Sequence, residues 1–242
     1  MTDTLERSTI SPALKPAAEL ARTSSQPFPN EPAGYRAARQ ALLAEEIELR
    51  RHLERVAAQR RALPLGGEVP EDYAFGNQDG GTTRLSEMFG PHDTLFTYFW
   101  MYAPARERPC PMCTNILGPI DANARDIEQK MALAVFSLSP VSRMLAFARE
   151  RGWTGLTFYS SAGNSFADDY RGLMPDGTDT VAINVFVKRG GKVHLSWAAE
   201  MWGTADPGQD PRGAPDVAPL WNILDMTPRG RDPDWYPKLE YE

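Results

Sequence analysis

Hydrophobic positions have no sustained period over residues 1–32, where Pro12, Pro16, Pro29 and Pro32 lie among Ser, Thr and Ala. That pattern predicts a flexible N-terminal arm, partly ordered against the body or a partner. The pattern changes over about Tyr35 to Arg61, which lacks Gly and Pro. Leu42, Leu49, Leu53 and Val56 recur there at helical spacing, with Glu45, Glu46, Arg50, Arg51 and Arg55 between them. This predicts one long amphipathic helix over residues 33–62. Such a helix either packs on its own domain or serves as a dimer-forming arm.

Pro64, Gly66 and Gly67 punctuate the chain, and a main domain is expected over residues 63–242. Tyr73-Ala74-Phe75 is a short strand candidate, Asn77 to Gly81 a turn, and Arg84 to Phe89 a short helix or turn. Leu95 to Tyr102 is a continuous aromatic and apolar run, the mark of a central strand buried on both faces. Asn115 to Lys130 reads as helix, with a kink or restart expected at Gly118-Pro119. Met131 to Leu138 is the next buried strand, Val141 to Arg151 the next helix, and Thr157 to Ser161 a strand end. Thr180 to Lys188 and Lys192 to Ala198 alternate around Arg189-Gly190-Gly191 as a β-hairpin, and Val217 to Met226 forms a closing helix. Alternating strands and helices predict an α/β domain: a central mixed sheet flanked by helices, with an antiparallel hairpin at one edge and a helical extension at the N-terminus.

Composition narrows the function classes. With 242 residues, 42% of them hydrophobic, the chain can bury a sizeable core. A net charge of −6 sets its own field against phosphate, so nucleic acid is not an expected partner. No apolar run reaches the ~18 residues of a membrane-spanning helix. Met1 to Arg7 has no apolar core, so a secretory signal is not expected and a cytoplasmic location is. Two cysteines in the whole chain, three positions apart, do not make a disulfide-stapled scaffold. A loop so short would constrain the unfolded chain little.

Those cysteines lie in Arg108-Pro109-Cys110-Pro111-Met112-Cys113, between a buried strand and a helix. A strand entering a helix through a loop puts its last residues at the carboxyl edge of the sheet, where open α/β sheets build their sites. Cys110 is expected at or near the helix N-cap, where free N–H groups and the helix dipole favour a thiolate, with Pro111 at the first helical position. Cys113 returns to the same face, and Arg106 and Arg108 add positive potential. The catalytic candidates are therefore Cys110, as attacking thiol, and Cys113, as resolving thiol. Candidate substrate-binding positions are Trp100 at the strand end, Pro111 and Met112 between the cysteines, and Ser160-Ser161 in a polar turn at the same sheet edge. Other readings stay open. The pair is also what two ordinary thiols at a helix start look like, and zinc would need four ligands, with only His52, His92 and His194 as further soft candidates. No cofactor is implied. The expected partner is a redox protein or a thiol/disulfide substrate, with a homodimer as a further expectation.

Phe99-Trp100 before Cys-Pro-Met-Cys resembles the thioredoxin superfamily, especially its peroxiredoxin-like and cytochrome-maturation branches. Several stretches more closely resemble a bacterial family of uncharacterised thioredoxin-like proteins. These are Arg60 to Pro64, Glu71-Asp72-Tyr73, the cysteine run, Val141-Ser142-Arg143, Gly152-Trp153, Ser160-Ser161 with Asn164, and Leu224 to Arg231. The likeness spans about residues 35 to 242 and implies a thioredoxin-like fold. The sequence departs from working thioredoxins in two ways, a loop of about eight residues between Trp100 and Cys110 and no proline before the strand at Val181, and from peroxiredoxins in a third, Glu107 standing where they carry Thr or Ser. The implied activity is that of a thiol-disulfide oxidoreductase or redox sensor, and the alternative is a binding or scaffold protein that dimerises through its N-terminal helix.

Overall fold

The structure is a computed structural model that describes residues 14–24, 26–200, 217–232 and 234–241. The chain divides into two units, residues 1–63 and 64–242.

The first unit is a pair of helices, α1 (Ala17–Ser24) and α2 (Ala33–Arg61). Part of the segment expected as an arm is thus helical, and residues 1–13 lie outside the described residues. Ala17 and Ala21 of α1 are buried, and Arg51 ties the two helices by donating from Nη2 to the Lys15 carbonyl at 2.6 Å. Pro32 caps α2 with extended backbone and no side-chain hydrogen bond. Pro32 suits that place because proline cannot continue a helix backwards but its carbonyl accepts the Arg36 N–H. No described residue of α2 is buried, and Leu42, Leu49 and Leu53 are all more than half exposed.

The second unit is built on β1 (Ala74–Gly76), β2 (Thr82–Arg84), β3 (Thr94–Phe99), α3 (Pro111–Ile127), β4 (Ala132–Ser137) and α4 (Val141–Arg151). It continues with β5 (Phe158–Ser160), α5 (Phe166–Asp169), β6 (Ala182–Arg189), β7 (Lys192–Ala198) and α6 (Pro219–Asp225). The strands form one mixed sheet in the order β2-β1-β5-β4-β3-β6-β7. The three central strands β5, β4 and β3 are parallel, and the remaining pairings are antiparallel. This is the mixed sheet with flanking helices and an antiparallel hairpin at one edge that the element order predicts. Gly190 and Gly191 close the β6–β7 hairpin with both φ angles positive, +59° and +80°, a turn that twists with its strands and that glycine enters without steric cost.

Thr82–Arg84 is a further strand, paired with β1, and the short helix or turn expected over Arg84 to Phe89 is a run of turns that follows it. Three residues are too few to show a period, so pairing with β1 decides their conformation. One local expectation is corrected: α3 begins at Pro111 and runs to Ile127 without a restart at Pro119. Gly118 eases this, because part of the clash that drives a residue before proline out of the helix involves its Cβ, which glycine lacks.

Alternation along the strands makes two cores. Tyr98 and Trp100 of the central strand, with Leu133, Val135 and Phe158, pack under α3 and α4 together with Cys113, Leu117, Met144 and Phe147. Leu95, Phe99, Ala134 and Phe136 face the other side, with Tyr73, Phe75, Phe166 and Phe186. The period of two explains why a continuous apolar run is needed at β3 and β4: both faces are covered.

Candidate functional site

The central strand β3 ends under the cysteines. After Trp100, whose N–H donates to the Phe136 carbonyl at 2.7 Å, the chain makes a loop that Cys110 closes by donating its N–H to the Met101 carbonyl at 3.0 Å. Three side chains hold that loop. Asp179, almost fully buried, accepts the Ala103 N–H at 2.9 Å and the Arg106 Nε–H at 2.8 Å. Arg143 donates to the carbonyls of Ala103, Arg106 and Glu107, and its guanidinium carbon lies 4.2 Å above the Tyr102 ring. The Ser139 hydroxyl donates to the Tyr102 carbonyl. Two of the three are charged, and hydrogen bonds to charged groups are stronger than neutral ones. Arg108 turns away to pair with Glu150 and, at 3.4 Å, with Glu240.

Cys110 occupies the N-cap of α3 with Pro111 in the first turn, as the sequence predicts. It is half-buried, Cys113 is buried, both are free thiols, and the two approach to 3.7 Å. No cap hydrogen bond reaches normal length at Cys110. The Cys113 thiol and the free N–H groups of Cys113 and Met112 still lie close enough to favour negative charge there, with a smaller contribution from Arg106. They outweigh burial and hold the Cys110 thiol down to about 6. Burial pushes the Cys113 thiol well up, and the neighbouring Cys110 sulfur adds to that. At neutral pH the pair therefore holds one exposed-side thiolate and one protonated buried thiol. The expected contribution of Arg108 is not among the causes of the Cys110 shift.

The expected substrate-binding positions divide into two sets. Pro111 and Met112 are half-buried beside Cys110. Trp100 is fully buried, in ring contact with Tyr102, Phe147, Trp153 and Phe158. Ser160 and Ser161 are buried at the end of β5, where the Ser161 hydroxyl donates to the Ser137 carbonyl at 3.3 Å. β4 separates that strand from β3.

The residues that hold the loop and that the sequence does not disclose are Ser139, Arg143 and Asp179. Arg143 and Asp179 reach the loop from α4 and from the segment before β6, so no local spacing marks them. Among the described residues no group of three or more His, Cys, Asp or Glu could hold a metal ion. No described helix is long and apolar enough to cross a membrane.

Solved structures similar to this chain include the exposed lipoprotein thioredoxin of Streptococcus pneumoniae, 17% identical over 52% of this chain and 87% of that one, TM-score 0.38. They also include a peroxiredoxin-like protein from Aquifex aeolicus, 16% identical over 56% of this chain and 75% of that one, TM-score 0.43. The peroxidoxin BcpB of Mycobacterium tuberculosis is 22% identical over 54% of this chain and 82% of that one, TM-score 0.41. Among curated proteins none matches the chain. Residues 25–241, which take in the cysteine pair and every side chain that holds its loop, match the family described as "Bacterial protein of unknown function (DUF899)", and the chain belongs to that family.

Proposed function

We propose that the protein is a thiol-disulfide oxidoreductase or redox sensor that works through Cys110 and Cys113. The observation that carries the reading is the division of labour within the pair: a half-buried helix-capping thiol held down to about 6, 3.7 Å from a buried thiol that is pushed up. A low pKa supplies attacking thiolate at neutral pH, and burial protects the second thiol from outside disulfides. In the first step the Cys110 thiolate attacks one sulfur of a disulfide, forming a mixed disulfide and expelling the other sulfur as a thiolate. Cys113 then loses its proton to solvent and attacks the Cys110 sulfur, expelling the second substrate thiolate. Two electrons pass from the dithiol to the substrate, and a Cys110–Cys113 disulfide remains. Pro111 and Met112, flanking the attacking sulfur, are the proposed substrate contacts, and Trp100, Ser160 and Ser161 support the site from the core. A cytoplasmic setting belongs to the same proposal, since a reducing compartment keeps such a pair as the dithiol.

The test is trapping with oxidised glutathione as the probe. Cys113→Ser should accumulate a glutathione mixed disulfide on Cys110, the native chain should pass on to the internal disulfide, and Cys110→Ser should do neither. A native chain that remains a dithiol in a mildly oxidising glutathione buffer contradicts the proposal.

One observation favours the scaffold reading as well. Tyr35, Leu42 and Leu49 are exposed and lie at heptad spacing along α2, a seam that a second copy can match. Mass in solution with and without residues 1–63 separates the two readings, and a monomer in both cases excludes dimerisation through α2.

A further inference from the structure

The buried end of the cysteine pair contains a polar group with no partner. Tyr98 of β3 is fully buried in the same apolar cluster as Cys113, Leu117 and Val135, and its hydroxyl makes no hydrogen bond. Buried hydroxyls are normally satisfied, so an orphan one requires an explanation. This one shares its buried cluster with Cys113, and the two groups act on each other's ionisation. The Met101 N–H approaches the same sulfur. Cys113 is 2% exposed, so water can accept its proton at the rim but solvates an anion on the sulfur poorly. A resolving thiol must nevertheless become an anion before it can attack.

We propose that Tyr98 is a positioning residue that donates its hydroxyl hydrogen to the Cys113 sulfur once that sulfur loses its proton, and so sets the rate at which Cys113 resolves a mixed disulfide on Cys110. The inference rests on the redox reading above. It also explains why the hydroxyl stands idle in the reduced state. While Cys110 is the anion, its charge keeps Cys113 protonated, and Cys113 donates to Cys110. Once Cys110 is neutral within a mixed disulfide, that repulsion is gone. Cys113 then releases its proton to solvent, and Tyr98 and the Met101 N–H hold the resulting thiolate for attack on the Cys110 sulfur. Burial keeps the Tyr98 proton in place, so it remains a donor throughout.

The experiment follows the full chain mixed with oxidised glutathione, with acid quenching and mass measurement of the mixed and internal disulfides. Tyr98→Phe removes only the oxygen. It should leave the first step and the Cys110 alkylation rate unchanged and slow the second step by about tenfold, the rate equivalent of one hydrogen bond to an anion. The pH midpoint of the second step should move upward. Site-specific 3,5-difluorotyrosine at position 98, a stronger donor of nearly the same size, should act in the opposite direction, speeding resolution and lowering that midpoint. A packing role alone would not reverse sign between the two, and the fluorinated chain keeps the test alive if Tyr98→Phe fails to fold. Native and Tyr98→Phe chains that resolve at the same rate with the same pH profile overturn the inference while leaving the redox reading intact. A native chain that forms no internal disulfide overturns the redox reading itself.

Discussion

The two faces of the sheet share strands but differ in how they treat polar groups. On the face of Phe75, Phe136 and Phe166, the deeply placed hydroxyls of Tyr73 and Thr97 are satisfied: Tyr73 donates to Asp169 at 2.7 Å, Ser165 donates to the same carboxylate at 2.6 Å, and Thr97 donates to the Asn184 carbonyl at 3.1 Å. The face beneath α3 and α4 carries the cysteines, and there the Tyr98 hydroxyl and the Trp100 indole N–H have no partner. One face is therefore a packed aromatic core built for stability, with ring pairs such as Phe75–Phe136 at 4.6 Å. The other leaves hydrogen-bonding capacity unused next to a pair of thiols. Unsatisfied buried groups tend to persist where chemistry needs them.

Substitutions can break that comparison, the severest first. Cys110→Ser should abolish internal disulfide formation in glutathione buffers while leaving the far-ultraviolet circular dichroism unchanged. Phe136→Ala, on the aromatic face, should lower unfolding stability in urea by about 3–5 kcal/mol. Provided the variant stays folded, the pH midpoint of Cys110 alkylation should not move, because Phe136 faces away from the thiols. Tyr73→Phe and Tyr98→Phe form the sharpest pair, since each deletes one hydroxyl oxygen from a buried tyrosine. The first should cost about 1–2 kcal/mol by stripping a hydrogen bond from Asp169, and the second should cost nothing or stabilise slightly, because no partner is lost. Equal losses from both would remove the distinction between the faces. The smallest effect is expected from Arg106→Ala, which should raise the Cys110 midpoint by less than about one pH unit, as Arg106 is a minor influence on that thiol.

The depressed Cys110 thiol also links redox chemistry to stability. A group whose folded pKa lies below its unfolded value contributes stability that is fully present above the unfolded value and is lost as pH falls through the folded one. For Cys110 the loss runs from the ordinary thiol range down through about 6. Cys110→Ala should flatten that part of the pH–stability curve.

Much of the architecture was legible because strand and helix periods alternate cleanly. β3 and β4 announce themselves as unbroken apolar runs, and Val141–Arg151 is helical over the whole expected span. The cysteine pair was legible because N-cap position, Pro111 and helical return are local features. What was not legible depends on the third dimension. Trp100 stands at a strand end where it suits either the core or a wall of the site, and alternation turns it inward under Phe147 and Trp153. Ser160 and Ser161 share the sheet edge, but strand order puts β4 between them and the cysteine strand. Asp179 and Arg143 hold the loop before Cys110 from distant segments, and nothing in the sequence announces such pairings.

The loop from Trp100 to Cys110 is therefore a held structure that delivers Cys110 to the start of α3. Its consequence is the asymmetry of the two thiols, and the most direct test is the pH dependence of iodoacetamide labelling, with the labelled residue located by mass spectrometry. The account predicts a labelling midpoint near 6 on Cys110, with Cys113 silent through neutral pH. A midpoint at about 8.5, the value of an ordinary thiol, or equal labelling of both cysteines would contradict it.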